Sequence, residues 1–144
     1  MAGIYIATRL EQAVLHKQLS GYLIDLGHEI TYDWTQHGSV QDDGPERIAE
    51  VAAAESRGVY LADAVIVLLP GGRGTHAELG MAYALGKRIF IHGPRAGEDG
   101  RECAFYYAQP GSLSSPTIPP IITHHEGTLA ELAIAVQKWA QGSG

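Results

Sequence analysis

A glycine-rich turn followed by a glutamate is the part of this sequence with the clearest chemical meaning. An apolar run ends at Leu69, the turn 70–75 (PGGRGT) follows, and Glu78 comes three residues after the turn. Glycines let the backbone approach a ligand closely, and the free N–H groups at a helix start bind anions without a basic side chain. A carboxylate beside such a loop suggests chemistry on a phosphorylated or sugar-bearing substrate. The candidate phosphate-binding residues of the turn are Gly71, Gly72, Arg73, Gly74 and Thr75.

Glu78 also has a purely structural interpretation, because Thr75-x-x-Glu78 matches the capping box of a helix N-terminus. Thr8-x-x-Glu11 and Thr128-x-x-Glu131 show the same spacing at two other predicted helix starts, so spacing alone does not identify a catalytic acid. Only the box at Glu78 follows a central apolar strand through a Gly-Gly-x-Gly turn, where α/β sheets bind ligands. We therefore predict that Glu78 is catalytic and that it also caps its helix.

A second carboxylate, Glu55, is expected to face the same region. Ile48, Ala52, Glu55 and Val59 fall on one stripe of a predicted helix, the stripe expected to look inward. The alternative is that Glu55 lies at the edge of this stripe and reaches solvent. Two carboxylates in one pocket suit glycosidic chemistry, in which one attacks or stabilises the anomeric carbon and the other orients the sugar or handles a proton.

Three residues around the first predicted strand complete the candidate site. Tyr5 could offer its hydroxyl to the pocket, although a tyrosine in a strand commonly serves core packing. Thr8 and Arg9 end the strand and begin a helix, which is another place where anions bind. Arg9 and Arg73 are candidate phosphate contacts, and the alternative for each is a solvated loop arginine.

Strands and helices alternate along the chain. Strands are predicted at 3–7, 28–32, 63–69, 88–91 and 121–123, and helices at 10–26, 45–61, 75–85 and 128–141. This pattern predicts a three-layer α/β fold of the flavodoxin or Rossmann type, with five mainly parallel strands in the order 2-1-3-4-5. We expect a single α/β domain over 1–141 and a flexible tail at 142–144. No element is assigned between 92 and 120, a length typical of lids, binding loops or oligomer contacts.

Composition limits the classes of partner. The 144 residues carry a net charge of −6 and no Lys/Arg cluster, which argues against a nucleic-acid polymer. The apolar run 64–69 is too short to span a bilayer, and no signal segment opens the chain. The single cysteine, Cys103, fits a reducing, cytoplasmic setting. Since the adjacent His124 and His125 would point to opposite faces of a strand, no metal site is expected. No cofactor is expected either.

The sequence resembles the nucleoside 2-deoxyribosyltransferase-like family, which includes transferases and related nucleotide N-hydrolases. The resemblance rests on four blocks: 4–7 (IYIA), 26–30 (LGHEI), 62–67 (ADAVIV) and the more specific 78–87 (ELGMAYALGK). It implies that Glu78 is the nucleophile that attacks C1′ of the sugar and that Tyr5 lies close to it. It also implies that Glu55 helps to hold the sugar or base, and that the chain forms a homodimer or larger assembly in which a neighbour completes each pocket.

Two departures from the family pattern shape the substrate prediction. Aspartate is usual where Glu55 stands, so a longer side chain must be accommodated. Transferases of free nucleosides commonly carry a carboxylate at the position of Gly72, and its absence removes a repulsion against phosphate. The turn also resembles the PGGxGTxxE signature of cytokinin-activating phosphoribohydrolases, which cleave nucleoside monophosphates. This second resemblance is confined to residues 70–78.

The residues and the resemblance together predict hydrolysis of the N-glycosidic bond of a (deoxy)nucleoside 5′-monophosphate, with a small-molecule nucleotide or nucleoside as the partner. Base exchange by a 2-deoxyribosyltransferase is the alternative within the same family. A non-catalytic nucleotide-binding or sensing module, in which Glu78 only caps its helix, is the alternative of another class.

Overall fold

The computed structural model of the chain describes residues 1–93, 103–107 and 121–142. The predicted loop over 92–120 and the predicted tail at 142–144 therefore lie largely outside the described residues. No helix within the described ranges is both long enough and apolar enough to cross a membrane.

Five parallel strands form one sheet in the order β2-β1-β3-β4-β5. This confirms the predicted order, and every pairing between neighbouring strands is parallel. The strands are β1 Gly3–Ala7, β2 Glu29–Ile30, β3 Ala64–Leu68, β4 Arg88–His92 and β5 Ile122–His125. The second strand is shorter than predicted, because only two residues of 28–32 pair with β1.

Helices cover both faces of the sheet and confirm the three-layer arrangement. They are α1 Ala13–Asp25, α2 Pro45–Leu61, α3 Arg73–Ala84 and α4 Leu129–Ala140. Buried residues of α1 and α4 pack in one apolar core, and those of α2 and α3 pack in the other. The first strand shows the alternation that separates the cores: Ile4 and Ile6 face α1 and α4, whereas Tyr5 and Ala7 face α2 and α3.

The prediction of which α2 residues face inward is partly wrong. Ile48 and Ala52 are exposed, and the buried positions of the helix are Val51, Gly58 and Val59. Glu55 lies midway between Val51 and Val59 at four-residue spacing and is half-buried. The carboxylate therefore does share a face with buried residues, but that face lies about one residue away from the predicted one.

Candidate active site

A cavity of about 360 Å³ opens where β1 and β3 end. Parallel strands leave their carboxyl ends at one edge of the sheet, so the segments after β1 and β3 meet there. Three of the ten predicted site residues, Tyr5, Gly71 and Arg73, are not part of the cavity wall described. The other seven line it: Thr8, Arg9, Glu55, Gly72, Gly74, Thr75 and Glu78.

A hydrogen bond from Tyr5 holds the Glu78 side chain in place. The Tyr5 hydroxyl donates a hydrogen bond of 2.6 Å to Glu78 Oε2, and both side chains are buried. Tyr5 comes from the middle of β1 and Glu78 from the second turn of α3. The bond therefore joins the sheet to the helix. It uses only one of the two carboxyl oxygens of Glu78. Tyr5 orients the carboxylate rather than lining the cavity.

Glu55 and Glu78 are two carboxyl groups that line the same cavity and influence each other's ionisation. Burial is the main cause that raises both pKa values. For Glu78, burial outweighs the opposing hydrogen bond from Tyr5, and the charge of Glu55 adds to the rise, so that its pKa reaches about 8. The pair therefore holds one proton at neutral pH, as close carboxyl groups do. One carboxylate and one carboxylic acid face the same cavity.

Replacing Tyr5 by phenylalanine should lower the rate at neutral pH. The Tyr5 hydrogen bond lowers the pKa of Glu78, so its removal raises that pKa and reduces the ionised fraction. We expect kcat/KM to fall about tenfold at pH 7, and the pH–rate profile to move to higher pH. Tyr60→Phe, which removes an exposed hydroxyl from α2, is the matched control. An unshifted profile in Tyr5→Phe would contradict the role given to this hydroxyl.

The expectation that Glu78 caps its helix is wrong. Helix α3 begins at Arg73, with Gly72 at the N-cap, and the Thr75 hydroxyl accepts a 3.0 Å hydrogen bond from the Gly72 N–H. Glu78 is thus too far into the helix to reach the free amides, and its carboxyl group turns to Tyr5 instead. The box at Thr8 is not formed either, whereas Thr128 and Glu131 make a reciprocal pair of hydrogen bonds.

The glycine turn packs tightly against its own helix. A Cβ atom on Gly71 would lie 2.6 Å from Thr75 Cγ2, so glycine is needed there for the turn to close. Because Thr75 already holds the Gly72 amide, that amide is not a free donor. The donors that remain are the first-turn amides of α3, of which Gly74 and Thr75 belong to the cavity wall.

The remaining predicted anion contacts have different surroundings. The Thr8 hydroxyl donates to the Leu68 carbonyl at 2.8 Å and accepts from Gln12 at 2.7 Å, so it supports the backbone rather than facing a ligand. Arg9 is half-exposed and 3.8 Å from Glu11. Among the lining residues described, Arg9 is the single lysine or arginine. Arg73 is exposed.

One cavity wall was missed by the sequence interpretation. The segment 34–41, which lies between the predicted strand 28–32 and the predicted helix 45–61, supplies Trp34, His37 and Gln41 to the lining. Trp34 is buried, and its indole N–H donates to the Ile6 carbonyl at 3.1 Å. A single tryptophan among polar residues was the sequence signal that could have identified this wall. Within the described ranges, no three side chains are placed to hold a metal ion.

Gly58 is a second feature that the sequence interpretation missed. A Cβ atom there would lie 2.9 Å from both the Tyr32 Cβ and a Tyr5 ring carbon. Glycine in the middle of α2 therefore makes room for the ring that orients Glu78.

Gly58→Ala should impair both stability and turnover. Overpacking lowers the free energy of unfolding by about 1–3 kcal/mol, and the better helix propensity of alanine offsets about 1 kcal/mol of this loss. We expect a lower melting temperature and a severalfold lower kcat, since Tyr5 must shift. Gly21→Ala in α1 is the matched control, because its Cβ would meet nothing within 4 Å, and it should stabilise the protein. Equal behaviour of the two variants in thermal unfolding and base release would refute this account.

A family model described as nucleoside 2-deoxyribosyltransferase matches residues 3–105, more than half of the chain. No curated protein matches the sequence.

Two solved structures show the same fold. The Clostridium botulinum CMP N-glycosidase BcmB is similar with a TM-score of 0.58 and 17% identity, over 95% of this chain and 98% of that chain. A conserved protein from Enterococcus faecalis V583 is similar with a TM-score of 0.54 and 18% identity, over 94% and 87% of the two chains. On the extent of the family match, the chain belongs to the nucleoside 2-deoxyribosyltransferase family and is an enzyme of its N-glycosidase and transferase class.

Proposed function

We propose that this enzyme hydrolyses the N-glycosidic bond of a ribo- or deoxyribonucleoside 5′-monophosphate and releases the base and a sugar phosphate. The observation that carries the proposal is that two carboxyl groups, Glu55 and Glu78, line one cavity and that Tyr5 fixes one of them there. A carboxylate and a carboxylic acid side by side are the two groups that retaining glycosidic chemistry requires.

At neutral pH the proton of the pair lies on Glu78, whose pKa is about 8. In the proposed first step this proton passes to Glu55, and the ionised Glu78 attacks C1′ while the bond from C1′ to the base nitrogen breaks. The bonding pair goes to the base, which receives the proton held by Glu55. In the second step, a water molecule attacks C1′ and gives a proton to Glu55, and the bond to Glu78 breaks. The pair then again holds one proton, so the cycle closes without any other acid or base.

The cavity lining offers groups that suit both the phosphate and the base of a nucleotide. The first-turn amides of α3 and the guanidinium of Arg9 provide donors for a 5′-phosphate, and Gly72 brings no carboxylate to repel it. Trp34 and Val51 provide apolar wall on which a planar base can lie. The CMP N-glycosidase named above acts on a nucleotide, and its fold is shared.

The direct experiment is chromatographic detection of base release from a panel of ribo- and deoxyribonucleoside 5′-monophosphates and the matching nucleosides. The proposal predicts free base and sugar phosphate in equal amounts, with monophosphates preferred. Preference for free nucleosides would contradict the phosphate assignment, and no release from any substrate would contradict the proposal as a whole.

Base exchange is the second candidate, because the matched family is described as nucleoside 2-deoxyribosyltransferase. A second free base added to the same assay separates the two reactions. A new nucleotide or nucleoside indicates transfer to the added base, whereas sugar phosphate that accumulates unchanged indicates hydrolysis.

We also propose that the chain works as a homodimer or larger assembly. Exposed apolar side chains on α1, including Val14 and Ile24, support this proposal. Light scattering during gel filtration tests it, and a monomeric mass at assay concentrations would overturn it.

A further inference from the structure

His76 links the glycine turn to a distant part of the chain. Its Nδ1 atom lies 2.7 Å from the Gly72 carbonyl oxygen, and its Nε2 atom lies 2.5 Å from the hydroxyl of Tyr106. Tyr106 is fully buried in the short 3-10 turn Ala104–Tyr107, and its own carbonyl lies 2.5 Å from His124 Nε2 in β5. The imidazole thus bridges the first turn of α3 and the 103–107 segment.

The partners of His76 fix the position of its proton. A carbonyl oxygen only accepts, so Nδ1 must carry the hydrogen that is donated to Gly72. In the neutral ring Nε2 is then an acceptor, and the Tyr106 hydroxyl donates to it. The tyrosine therefore selects the tautomer that can hold the glycine turn.

Both polar groups of the Gly72 backbone are consequently held by side chains of α3. The Thr75 hydroxyl accepts from the amide at 3.0 Å. The carbonyl accepts from the His76 backbone N–H at 3.2 Å, and the His76 imidazole is a second donor to it at 2.7 Å. Gly72 lines the cavity together with Gly74 and Thr75. A glycine peptide without such contacts samples many conformations, so the two side-chain bonds add to the helix bond in fixing the wall against which the 5′-phosphate would lie.

We infer that His76 is a positioning residue for the 5′-phosphate: its imidazole fixes the Gly72 carbonyl and thereby the orientation of the phosphate-facing amides. This inference rests on the proposed function, since it assumes that the glycine turn receives the phosphate of the substrate. The competing role is purely structural, with His76 anchoring the 103–107 turn to α3.

Two amide substitutions separate these roles. Asparagine can place its side-chain nitrogen near the position of Nδ1 and keep the donor to Gly72, while losing the contact with Tyr106. Glutamine reaches toward the position of Nε2 and loses the side-chain donor to Gly72, so that only the backbone N–H of residue 76 donates to this carbonyl. Tyr106→Phe also breaks the link to the turn but leaves the Gly72 contact in place. Melting temperatures of all three variants show whether they are folded.

For the nucleoside monophosphate that releases base fastest, we expect His76→Gln to raise KM about tenfold with kcat changed less than threefold. His76→Asn and Tyr106→Phe should stay within about threefold of the wild type, since both retain the side-chain donor to Gly72. With the matching nucleoside, which has no phosphate, the KM of His76→Gln should equal that of the wild type. Equal losses in His76→Asn and His76→Gln, or equal losses with both substrates, would overturn the inference.

A binding measurement distinguishes failure of this inference from failure of the proposed function. Calorimetry with ribose 5-phosphate and 2-deoxyribose 5-phosphate needs no turnover. An affinity about tenfold weaker in His76→Gln, but not in His76→Asn, supports the inference even if no substrate releases its base. Unchanged affinity in His76→Gln overturns it, even if the enzyme proves to be a nucleotide hydrolase.

Discussion

Replacing Glu78 by glutamine should abolish base release while the protein stays folded. Glutamine keeps the shape of the side chain but cannot attack C1′, so the covalent route is lost. We expect kcat to fall by at least ~10³-fold, since removal of a catalytic nucleophile has effects of this size or larger. The measurement is base release from the preferred substrate under saturating conditions. Residual activity within tenfold of the wild type would refute the assignment of Glu78.

The same variant should alter the pH dependence of stability, which provides an independent control. In the folded protein the pKa of Glu78 is raised from 4.5 to about 8. Its stabilising contribution is therefore complete below pH 4.5 and is lost as the pH rises through 8. Glu78→Gln should thus be more stable than the wild type above pH 8, by an amount on the order of a few kcal/mol. Chemical unfolding at pH 5 and pH 8.5 measures this difference.

Replacing Glu55 by glutamine should slow turnover and change the shape of the pH–rate profile. The wild-type rate should fall above about pH 8, where the carboxyl pair loses its last proton. Glutamine at position 55 cannot lose that proton, so the descending limb should disappear. Because the base also loses its proton donor, we expect kcat to fall about 10²-fold. Removing the negative charge of Glu55 should lower the pKa of Glu78 as well.

Glu55→Asp tests the same pair without removing the acid. Aspartate is the residue that the resemblance leads one to expect at this position, but its shorter side chain draws the carboxyl group back from Glu78. We therefore expect a descending limb to persist in Glu55→Asp. If Glu55→Gln turned over normally and only lost stability, Glu55 would be a structural residue and the proposed proton route would fail.

Much of the fold could be predicted from sequence, because hydrophobic periodicity and the proline and glycine residues at the ends of helices and strands are local properties. Pro45 marks the first residue of α2, and the uniform apolar run 64–68 forms the central strand. Helix boundaries that depend on tertiary contacts were harder to predict from sequence. The start of α3 moved to Arg73, because Thr75 bonds the Gly72 amide inside the turn rather than capping the helix from outside. Glu78 therefore lies in the second turn of α3 and not in the first, and its carboxyl group contacts Tyr5.

The contacts that define the site depend on which distant segments meet. Tyr5 and Glu78 are 73 residues apart in sequence, and their hydrogen bond follows from the pairing of β1 with β3. The wall at 34–41 and the space left by Gly58 depend on how α2 lies against the sheet. Neither has a periodic signature in the sequence. The family resemblance supplied the pairing of Tyr5 with Glu78, and the structure supplied its geometry.

Peptide mass spectrometry after a single turnover tests the central claim most directly. A nucleotide with fluorine at the 2′ position should form the glycosyl-enzyme and slow its hydrolysis, because fluorine destabilises the positively charged transition state of both steps. The account predicts one sugar phosphate attached to the peptide that contains Glu78, and no attachment in Glu78→Gln. Base release with no adduct at any time point, or an adduct on Glu55, would contradict it.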